Sequence, residues 1–315
     1  MNRTSATFGV LLMTYGSPSS LDDVPRYIKA VRGGRDPGSE VVEEFRHRYQ
    51  LIGGSPLIPI TQAQAAALEK RLGGEALVRA AMRFSAPDIT QALREMADAG
   101  VRRAVGIIMS PQYSPLLMGG YVRAVEAARD QLGERTPAVV LAGAWHREPA
   151  FVEALAGRID EGLRHFAEDE RESVPVLLTA HSLPRRVAEQ EPDYLAQLEE
   201  TARSVAEAAG LPRERWTFCW QSAGHEPGEW MKPDFADLMP QLAAAGHHSV
   251  LVAPVQFLAD HLEILYDVDV GAREQAEAAG LEFARIESLN VEPRFIEALA
   301  AVALQAHRPE TVSAR

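Results

Sequence analysis

Short apolar runs alternate with longer segments whose apolar residues recur at helical spacing. The apolar runs have the length of buried strands, and turn residues separate them from the helical segments. The pattern predicts strands at Gly9–Met13, Leu77–Met82, Ala104–Met109, Val139–Ala142, Val174–Leu178, Trp216–Trp220, Val250–Ala253 and Leu281–Ala284.

The segments between these runs carry the apolar periodicity of amphipathic helices. Strands joined by long helical crossovers form parallel sheets with helices on both faces, so an α/β fold is predicted. Four predicted strands precede residue 145 and four follow residue 170, which indicates two similar halves. The predicted helices include Asp22–Val31, Ser39–Leu51, Thr61–Arg71, Ala86–Ala99, Tyr121–Leu132, Pro149–His165, Asp193–Ala209, Pro233–Ala245 and Leu262–Ala278.

The two halves share local sequence. LLMTYGSP (Leu11–Pro18) and LLTAHSLP (Leu177–Pro184) align without a gap and place Tyr15 opposite His181. A chance match of short apolar strings is the alternative. If the repeat is real, Tyr15 and His181 stand at equivalent strand ends. In open parallel sheets ligands bind at the carboxyl ends of strands, so a flat ligand would fit a cleft between the halves.

Composition and charge narrow the class of protein. The net charge of −12 argues against a general nucleic-acid surface and against binding to anionic membranes. The single cysteine, Cys219, excludes an intramolecular disulfide and a multi-cysteine site within this chain. The sequence shows neither the apolar region of a signal peptide nor an apolar run long enough for stable membrane insertion. A cytoplasmic protein is expected, with a monomer as the default state.

An acidic segment, ADHLEILYDVD, follows the seventh predicted strand. On a helix Asp260, Glu263 and Asp267 would share one face, which in many proteins is only a solvated acidic surface. A neutral imidazole together with a carboxylate suits a divalent metal such as Fe²⁺, and His181 and Glu263 would supply one of each. Two ligands are too few to hold a structural metal ion, so the metal ion is expected to bind only transiently.

Two segments combine basic, aromatic and glycine residues: YIKAVRGGR and RHRYQLIGGSPL. Arg32, Arg35 and Arg48 could pair with carboxylates or phosphates, and Tyr49 and Ser55 could add hydrogen bonds. Surface arginines beside turn glycines are the ordinary alternative. Neither segment has a Walker or GxGxxG pattern, so a nucleotide is not the expected ligand.

Seven strings in order make the sequence resemble the ferrochelatase family over nearly its whole length. The resemblance implies a chelatase-type fold of two Rossmann-like domains related by pseudo-symmetry, with a porphyrin in the cleft between them. The strings are TYGSP (Thr14–Pro18), RYIKAVRGGR (Arg26–Arg35), RYQLIGGSPL (Arg48–Leu57), SPQYS (Ser110–Ser114), TAHSLP (Thr179–Pro184), WQSAG (Trp220–Gly224) and ADHLEILYD (Ala259–Asp267).

The resemblance also implies a reaction and a domain plan. Ferrochelatases insert Fe²⁺ into a porphyrin and release two protons, and the family's catalytic, metal-binding histidine and glutamate correspond to His181 and Glu263. Fe²⁺ is then a substrate, no permanent cofactor is expected, and the lack of a set of cysteines excludes the iron–sulfur cluster of some members. Residues 1–145 and 146–290 are expected to form the two domains, with a helix at about 291–308 packing back on the first.

Tyr15 bears on the choice of porphyrin. Tyr-Gly in this motif resembles the coproporphyrin III enzymes of the Gram-positive type, in which a phenol could ligate the inserted iron opposite His181. By the same resemblance Arg32, Arg48, Tyr49 and Ser55 would hold propionates, and Arg35 is a further candidate by position alone. A protoporphyrin IX ferrochelatase, a cobalt or nickel chelatase for another tetrapyrrole, and a non-catalytic porphyrin carrier remain alternatives.

Three departures from the family pattern modify these expectations. Gln112 and His146 stand where Gram-positive relatives tend to have histidine and tyrosine, and His146 thereby becomes a candidate porphyrin contact. After Asp269 the chain lacks a further acidic residue for an outer metal site. Helical spacing alone suggests that Asp260 and Asp267 form an acidic route for the incoming metal ion.

Overall fold

Two parallel sheets of four strands each form the framework of the computed structural model, which describes residues 7–224 and 228–308. The strands of the first sheet are β1 (Phe8–Thr14), β2 (Ala76–Met82), β3 (Arg103–Ile108) and β4 (Ala138–Leu141). Those of the second sheet are β5 (Val176–His181), β6 (Trp216–Gln221), β7 (Ser249–Pro254) and β8 (Glu282–Arg285).

Helices connect the strands and cover both faces of each sheet. In the first half they are α1 (Val24–Val31), α2 (Ser39–Leu51), α3 (Leu57–Arg71), α4 (Ile89–Asp98), α5 (Pro115–Leu132) and α6 (Pro149–Leu163). In the second half they are α7 (Arg185–Ala188), α8 (Pro192–Ala208), α9 (Phe235–Ala244), α10 (Leu262–Leu265), α11 (Arg273–Ala278) and α12 (Pro293–His307).

The two sheets have the same topology. Their strand orders are β2-β1-β3-β4 and β6-β5-β7-β8, so β1 and β5 are equivalent strands. Every residue of β1 is buried, as expected for a strand covered by helices on both faces. Tyr15 directly follows β1 and His181 ends β5, so both stand at the carboxyl ends of equivalent strands. The predicted two-sheet α/β fold is confirmed.

One apolar core connects the two lobes, as we call each sheet with its covering helices. This core contains residues of β1 and β3 from the first lobe and of β5 and β7 from the second, together with α6 and α12. The C-terminal helix α12 returns to the first lobe, where it packs on α3 and β3, and it also packs on α6. The relative placement of the lobes is therefore set by packed apolar side chains.

The predicted helix Leu262–Ala278 is interrupted. The chain forms the short helix α10, a π-helical turn at Asp267–Ala272 and then α11, while Asp260 precedes α10 in irregular backbone. Wider turns change which side chains share a face. The expectation that Asp260, Glu263 and Asp267 lie on one continuous helix face is wrong.

Candidate active site

His181 and Glu263 lie side by side at the carboxyl end of the second sheet. His181 is the last residue of β5, and Glu263 lies in the first turn of α10. His181 Nε2 lies 3.6 Å from Glu263 Oε1, and the two side chains are 32% and 38% exposed. The pair is therefore accessible to a ligand as well as mutually close.

A hydrogen bond fixes the orientation of the His181 imidazole ring. Its Nδ1 donates to the Ser182 carbonyl, which leaves Nε2 facing Glu263. Burial favours the neutral ring, but the Glu263 carboxylate outweighs burial and raises the pKa of His181 to about 9. Burial would raise the pKa of Glu263, yet the imidazoles beside it hold that pKa well below its ordinary range. The pair thus shares one proton at neutral pH.

A second histidine, which the sequence analysis missed, flanks the same carboxylate. His261 Nε2 lies 3.7 Å from Glu263 Oε2, and His261 Nδ1 donates to the Ala259 carbonyl at 2.8 Å. Although burial opposes the charged ring, the hydrogen bond to Glu263 raises the pKa of His261. The signal was its position in ADHLE, two residues before Glu263.

Asp267 extends this acidic region through the π-helical turn. Its partners are Ser222, which donates a side-chain hydrogen bond, and Arg48, whose Nη1 lies 3.8 Å from Asp267 Oδ1. Burial raises the pKa of Asp267, the Ser222 hydrogen bond opposes that rise, and the Glu263 carboxylate adds to it. Ser222 adopts a φ of 58°, a conformation uncommon outside glycine and frequent at functional sites.

Asp260 does not belong to this region. Its carboxylate accepts hydrogen bonds from Arg285 at 3.2 Å, Ser288 at 2.8 Å and Asn290 at 2.9 Å. Arg285 also forms an ion pair of 2.6 Å with Asp269. Arg285 compensates part of the charge of the Asp260 carboxylate and two neutral donors occupy it further, so the prediction that it lines an acidic metal route has no support from these contacts.

Tyr15 belongs to the opposite lobe and is 45% exposed. The turn after it depends on Gly16, whose φ is 88° and where an added Cβ would stand 2.8 Å from Ser85 Oγ. Tyr27 donates to the Gly16 carbonyl at 2.9 Å and holds this turn against α1. Burial raises the pKa of Tyr15, the Arg83 cation opposes that rise, and the Glu263 carboxylate adds to it. The charge of Glu263, in the second lobe, therefore affects the pKa of Tyr15.

Arg83, a further residue that the sequence analysis missed, lies beside Tyr15. Its guanidinium carbon stands 5.8 Å from the Tyr15 ring centre and 4.6 Å from that of Phe84. Gly120 provides the space, because a Cβ there would come within 2.0 Å of this guanidinium. The available signal was its position directly after β2, at the carboxyl end of the first sheet.

Arg48 and Tyr49 connect the basic segment to the acidic one. Arg48 forms ion pairs with Glu44 and Asp267, and its guanidinium carbon lies 5.0 Å from the centre of the Tyr266 ring. Tyr49 is 5% exposed and packs in a small apolar cluster with Leu262. Two of the predicted propionate-binding residues therefore contact the segment that carries Glu263.

The other basic candidates lie farther out. Arg32 is exposed at the end of α1, and Arg35 Nε donates to the Arg32 carbonyl at 3.2 Å. The half-buried Ser55 accepts from the Leu57 amide at 3.4 Å. Within residues 7–224 and 228–308 no described contact joins Arg32, Arg35 or Ser55 to the acidic segment, and their propionate contacts stay predictions.

His146 is placed in a different environment from the one expected. It is 5% exposed, and its Nε2 lies 3.0 Å from Glu200 Oε2 on α8. Gln112 donates to Thr201 on the same helix at 2.8 Å. Both departures from the family pattern therefore form buried contacts with α8. No contact of His146 with His181 or Glu263 is seen in the described residues, and its porphyrin contact remains a prediction without structural support.

Comparison with known proteins identifies the family. The Ferrochelatase family model matches residues 7–307, almost the whole chain. The chain belongs to the ferrochelatase family. It is therefore an enzyme that inserts a metal ion into a porphyrin.

Relatives of the ferrochelatase match over nearly their full length. A protein from Deinococcus radiodurans named ferrochelatase is 39% identical over 298 residues, covering 93% of this chain and 94% of that protein. Proteins named coproporphyrin III ferrochelatase are 38% identical in a Geobacillus strain and 36% identical in Bacillus subtilis, each covering 94% of this chain and 97% of the relative.

Solved structures support the fold. SirB from Bacillus subtilis, solved with Fe³⁺, superposes with a TM-score of 0.59 at 10% identity and covers 95% of both chains. CbiX, a terminal enzyme of siroheme biosynthesis in denitrifying bacteria, has a TM-score of 0.55 at 14% identity and covers 96% of this chain and 100% of its own. At these identities the likeness concerns architecture alone.

No helix among residues 7–224 and 228–308 has the length and apolarity needed to cross a bilayer.

Proposed function

We propose that this ferrochelatase inserts Fe²⁺ into coproporphyrin III and produces iron coproporphyrin III, with His181 and Glu263 as its catalytic pair. The observation that carries the proposal is the 3.6 Å approach of His181 Nε2 to Glu263 Oε1 at a strand end. Tyr15, from the other lobe, lies within the electrostatic influence of the same carboxylate. A macrocycle between the lobes would have the pair on one face and the phenol on the other.

The proton shared by the pair defines the first step. A nitrogen that binds a metal ion must be unprotonated, so Fe²⁺ binding at His181 Nε2 releases the shared proton. Glu263 stays ionised because two imidazoles stabilise its charge, and it supplies the negative charge that draws the cation. The metal ion reaches the macrocycle with its charge partly compensated.

In the second step Fe²⁺ replaces the two pyrrole N–H protons at the centre of the porphyrin. A planar free-base porphyrin hides its nitrogen lone pairs and blocks its centre with two N–H groups, so bending the ring exposes both. As Fe²⁺ forms bonds to the four ring nitrogens, the two N–H protons leave the macrocycle. Glu263 and His181, freed from the metal, accept protons and pass them to solvent. Each turnover consumes one Fe²⁺ and releases two protons.

The choice of coproporphyrin III has two supports. Two relatives carry that substrate in their names at 36–38% identity. Coproporphyrin III also carries four propionates, which favours a site with several cations, and two arginines are close to the proposed site: Arg48 pairs with Asp267, and Arg83 lies beside Tyr15. In the resting enzyme Arg48 pairs with Glu44 and Asp267, so a propionate would compete for it, while Arg32 provides an exposed cation.

An anaerobic insertion assay tests the substrate. Fe²⁺ is supplied with equal concentrations of coproporphyrin III and protoporphyrin IX, and the two metallated products are separated and measured. We expect kcat/KM for coproporphyrin III to be higher by about tenfold or more, because each additional paired carboxylate contributes to discrimination. Tyr15→Leu should reduce this ratio. A preference for protoporphyrin IX would refute the substrate assignment.

Glu263→Gln separates an enzyme from a porphyrin carrier. Loss of the carboxylate should leave porphyrin binding, measured by fluorescence quenching, within about twofold of the wild-type value, since the neutral amide keeps the shape of the side chain. Insertion of Fe²⁺ should fall by about a hundredfold or more. Insertion at the normal rate in the folded variant would show that Glu263 has no catalytic role.

A further inference from the structure

Gln256 lies between the two segments that carry the catalytic pair. It follows β7 by two residues and precedes Glu263 on the same connection. Its Oε1 accepts a hydrogen bond of 2.7 Å from the backbone amide of His181. Its Nε2 donates to the Tyr194 hydroxyl at 2.6 Å. One side chain thus joins the strand end that presents His181 to the helix α8.

The hydrogen bond to His181 replaces one that the sheet cannot supply. The pairing of β5 with β7 ends at Thr179 opposite Pro254, so the β7 ladder stops two residues before His181. A partly buried backbone amide without an acceptor is costly, and on its β7 side the end of β5 has no ladder bond, although its other side still pairs with Gln221 of β6. The carboxamide of Gln256 satisfies this amide and fixes the backbone from which the imidazole projects.

The other end of the carboxamide is also fixed. Tyr194 is 3% exposed, its hydroxyl accepts from Gln256, and the Ser110 side chain is its other hydrogen-bond partner. The Ser110 hydroxyl in turn donates to the Gln112 carbonyl at 3.1 Å. Because the backbone amide of His181 can only donate, Gln256 must present its oxygen to His181 and its nitrogen to Tyr194, so the carboxamide has one orientation. Ser110 follows β3, so the relay links the His181 strand end to the first lobe.

A second glutamine forms a hydrogen bond with the backbone of Glu263, the partner of His181. Gln221, the last residue of β6, accepts from the Thr179 hydroxyl at 2.6 Å and donates to the Glu263 carbonyl at 3.2 Å. It therefore ties the backbone of Glu263 to β5, two residues before His181. The two carboxamides bracket the catalytic pair.

We propose that Gln256 is a positioning residue for metal insertion: it holds the His181 end of β5 against Tyr194, so that His181 and Glu263 meet on the same metal ion. This inference rests on the roles proposed above for His181 and Glu263. In this proposal Gln256 acts through the backbone of His181 and not through a direct contact with either substrate. Its loss should weaken metal capture and leave porphyrin binding intact.

Three variants test the proposal: Gln256→Met, which keeps the size of the side chain, Tyr194→Phe, which removes the hydroxyl acceptor, and the double variant. Co²⁺ binding to the porphyrin-free protein is followed by the visible absorption of the ion, and KM for Fe²⁺ is measured with the porphyrin that the enzyme uses. Gln91→Met, on the exposed face of α4, is the matched control.

We expect Gln256→Met to weaken Co²⁺ binding and to raise KM for Fe²⁺ by about fivefold, the ratio that one neutral hydrogen bond typically represents. Tyr194→Phe should have a smaller effect in the same direction. The double variant should resemble Gln256→Met, because both changes break one relay. Gln91→Met should leave both quantities unchanged.

The proposal is overturned if Gln256→Met and Tyr194→Phe lower the melting temperature but leave Co²⁺ affinity and KM for Fe²⁺ at wild-type values, which a purely structural role would produce. It is also overturned if their effects are additive. The Co²⁺ titration needs no porphyrin, so an error in the coproporphyrin assignment would not affect it. If Gln256→Met does not fold, Tyr194→Phe alone decides, since it removes one hydroxyl group only.

Discussion

His181 is protonated in the resting enzyme because of the residue with which it is proposed to act. The Glu263 carboxylate raises the pKa of His181 to about 9, whereas burial alone would lower it. Metal binding must therefore displace a proton at neutral pH.

The affinity for a divalent ion should consequently rise with pH. Below the pKa of His181, each unit of pH should increase the Co²⁺ affinity of the porphyrin-free enzyme by about tenfold, since one proton leaves for each ion bound. The increase should continue from about pH 6 to about pH 8 without a plateau, because His181 titrates only near pH 9. Absorption titrations at several pH values measure this slope.

Glu263→Gln provides the control for this slope. Without the carboxylate, the largest contribution that raises the pKa of His181 is lost, so burial brings that pKa down from about 9 toward the ordinary histidine value of about 6.5. The residual Co²⁺ affinity of this variant should therefore stop rising near pH 6 to 7. A wild-type enzyme whose affinity levels off at the same pH as the variant would contradict the proton-sharing pair.

Individual residues differ in how far the sequence predicts their placement. His181 and Glu263 were found because each belongs to a motif and each follows a strand. Gln256 was not, since its importance depends on a contact far along the chain: it meets His181 across 75 positions. His261 was missed although it lies only two residues before Glu263. His146 has a candidate role by alignment, but its burial against Glu200 depends on how the lobes pack.

Among the elements, strands were predicted best and the acidic segment worst. All eight predicted strands exist, with ends within a few residues, because buried parallel strands are continuous apolar runs. The segment after β7 reads as one helix by periodicity, yet it contains a π-helical turn that no residue type announces. Its three carboxylates look alike in sequence, and only tertiary partners separate Asp260 from Asp267.

This difference predicts opposite effects for two similar substitutions. Asp260→Ala removes the acceptor of Arg285, Ser288 and Asn290, and should lower the free energy of unfolding by about 3 kcal/mol. Asp267→Asn keeps the hydrogen bond with Ser222 and should change that free energy by less than about 1 kcal/mol. It should instead raise KM for Fe²⁺ severalfold, because a negative charge beside Glu263 is lost.

Urea denaturation and steady-state kinetics at saturating porphyrin measure the two effects. Asp260→Ala should retain a normal KM for Fe²⁺ in the folded fraction. If Asp260→Ala raised KM while leaving stability unchanged, its carboxylate would belong to the metal route after all, and the assignment of Asp260 as a structural residue would fail.

At the scale of the whole molecule, the lobes are held by a shared core rather than by a hinge alone. The apolar core includes strands of both sheets, and α6 and α12 pack against each other within it. Phe295 of α12 is fully buried, and its ring centre lies 6.4 Å from that of Trp145, just before α6. The helix α12 therefore contributes to the core that holds the two lobes together.

Phe295→Ala should lower the stability of both lobes, measured as the free energy of unfolding. Removing a fully buried phenylalanine leaves a cavity and typically lowers the free energy of unfolding by about 3–5 kcal/mol. Leu304, on the same helix, is 38% exposed. Leu304→Ala should therefore lower the free energy of unfolding by less than about 1 kcal/mol, and it serves as the control. Urea unfolding is followed by far-ultraviolet circular dichroism and by tryptophan fluorescence.

Because α12 closes a core common to both sheets, the two probes should report one coincident transition in each variant, shifted to lower urea concentration in Phe295→Ala. Separate transitions, with the first lobe alone destabilised, would mean that the lobes fold independently and that α12 belongs to one of them. A single transition would show that the two lobes unfold as one cooperative unit, as expected for sheets that share one core.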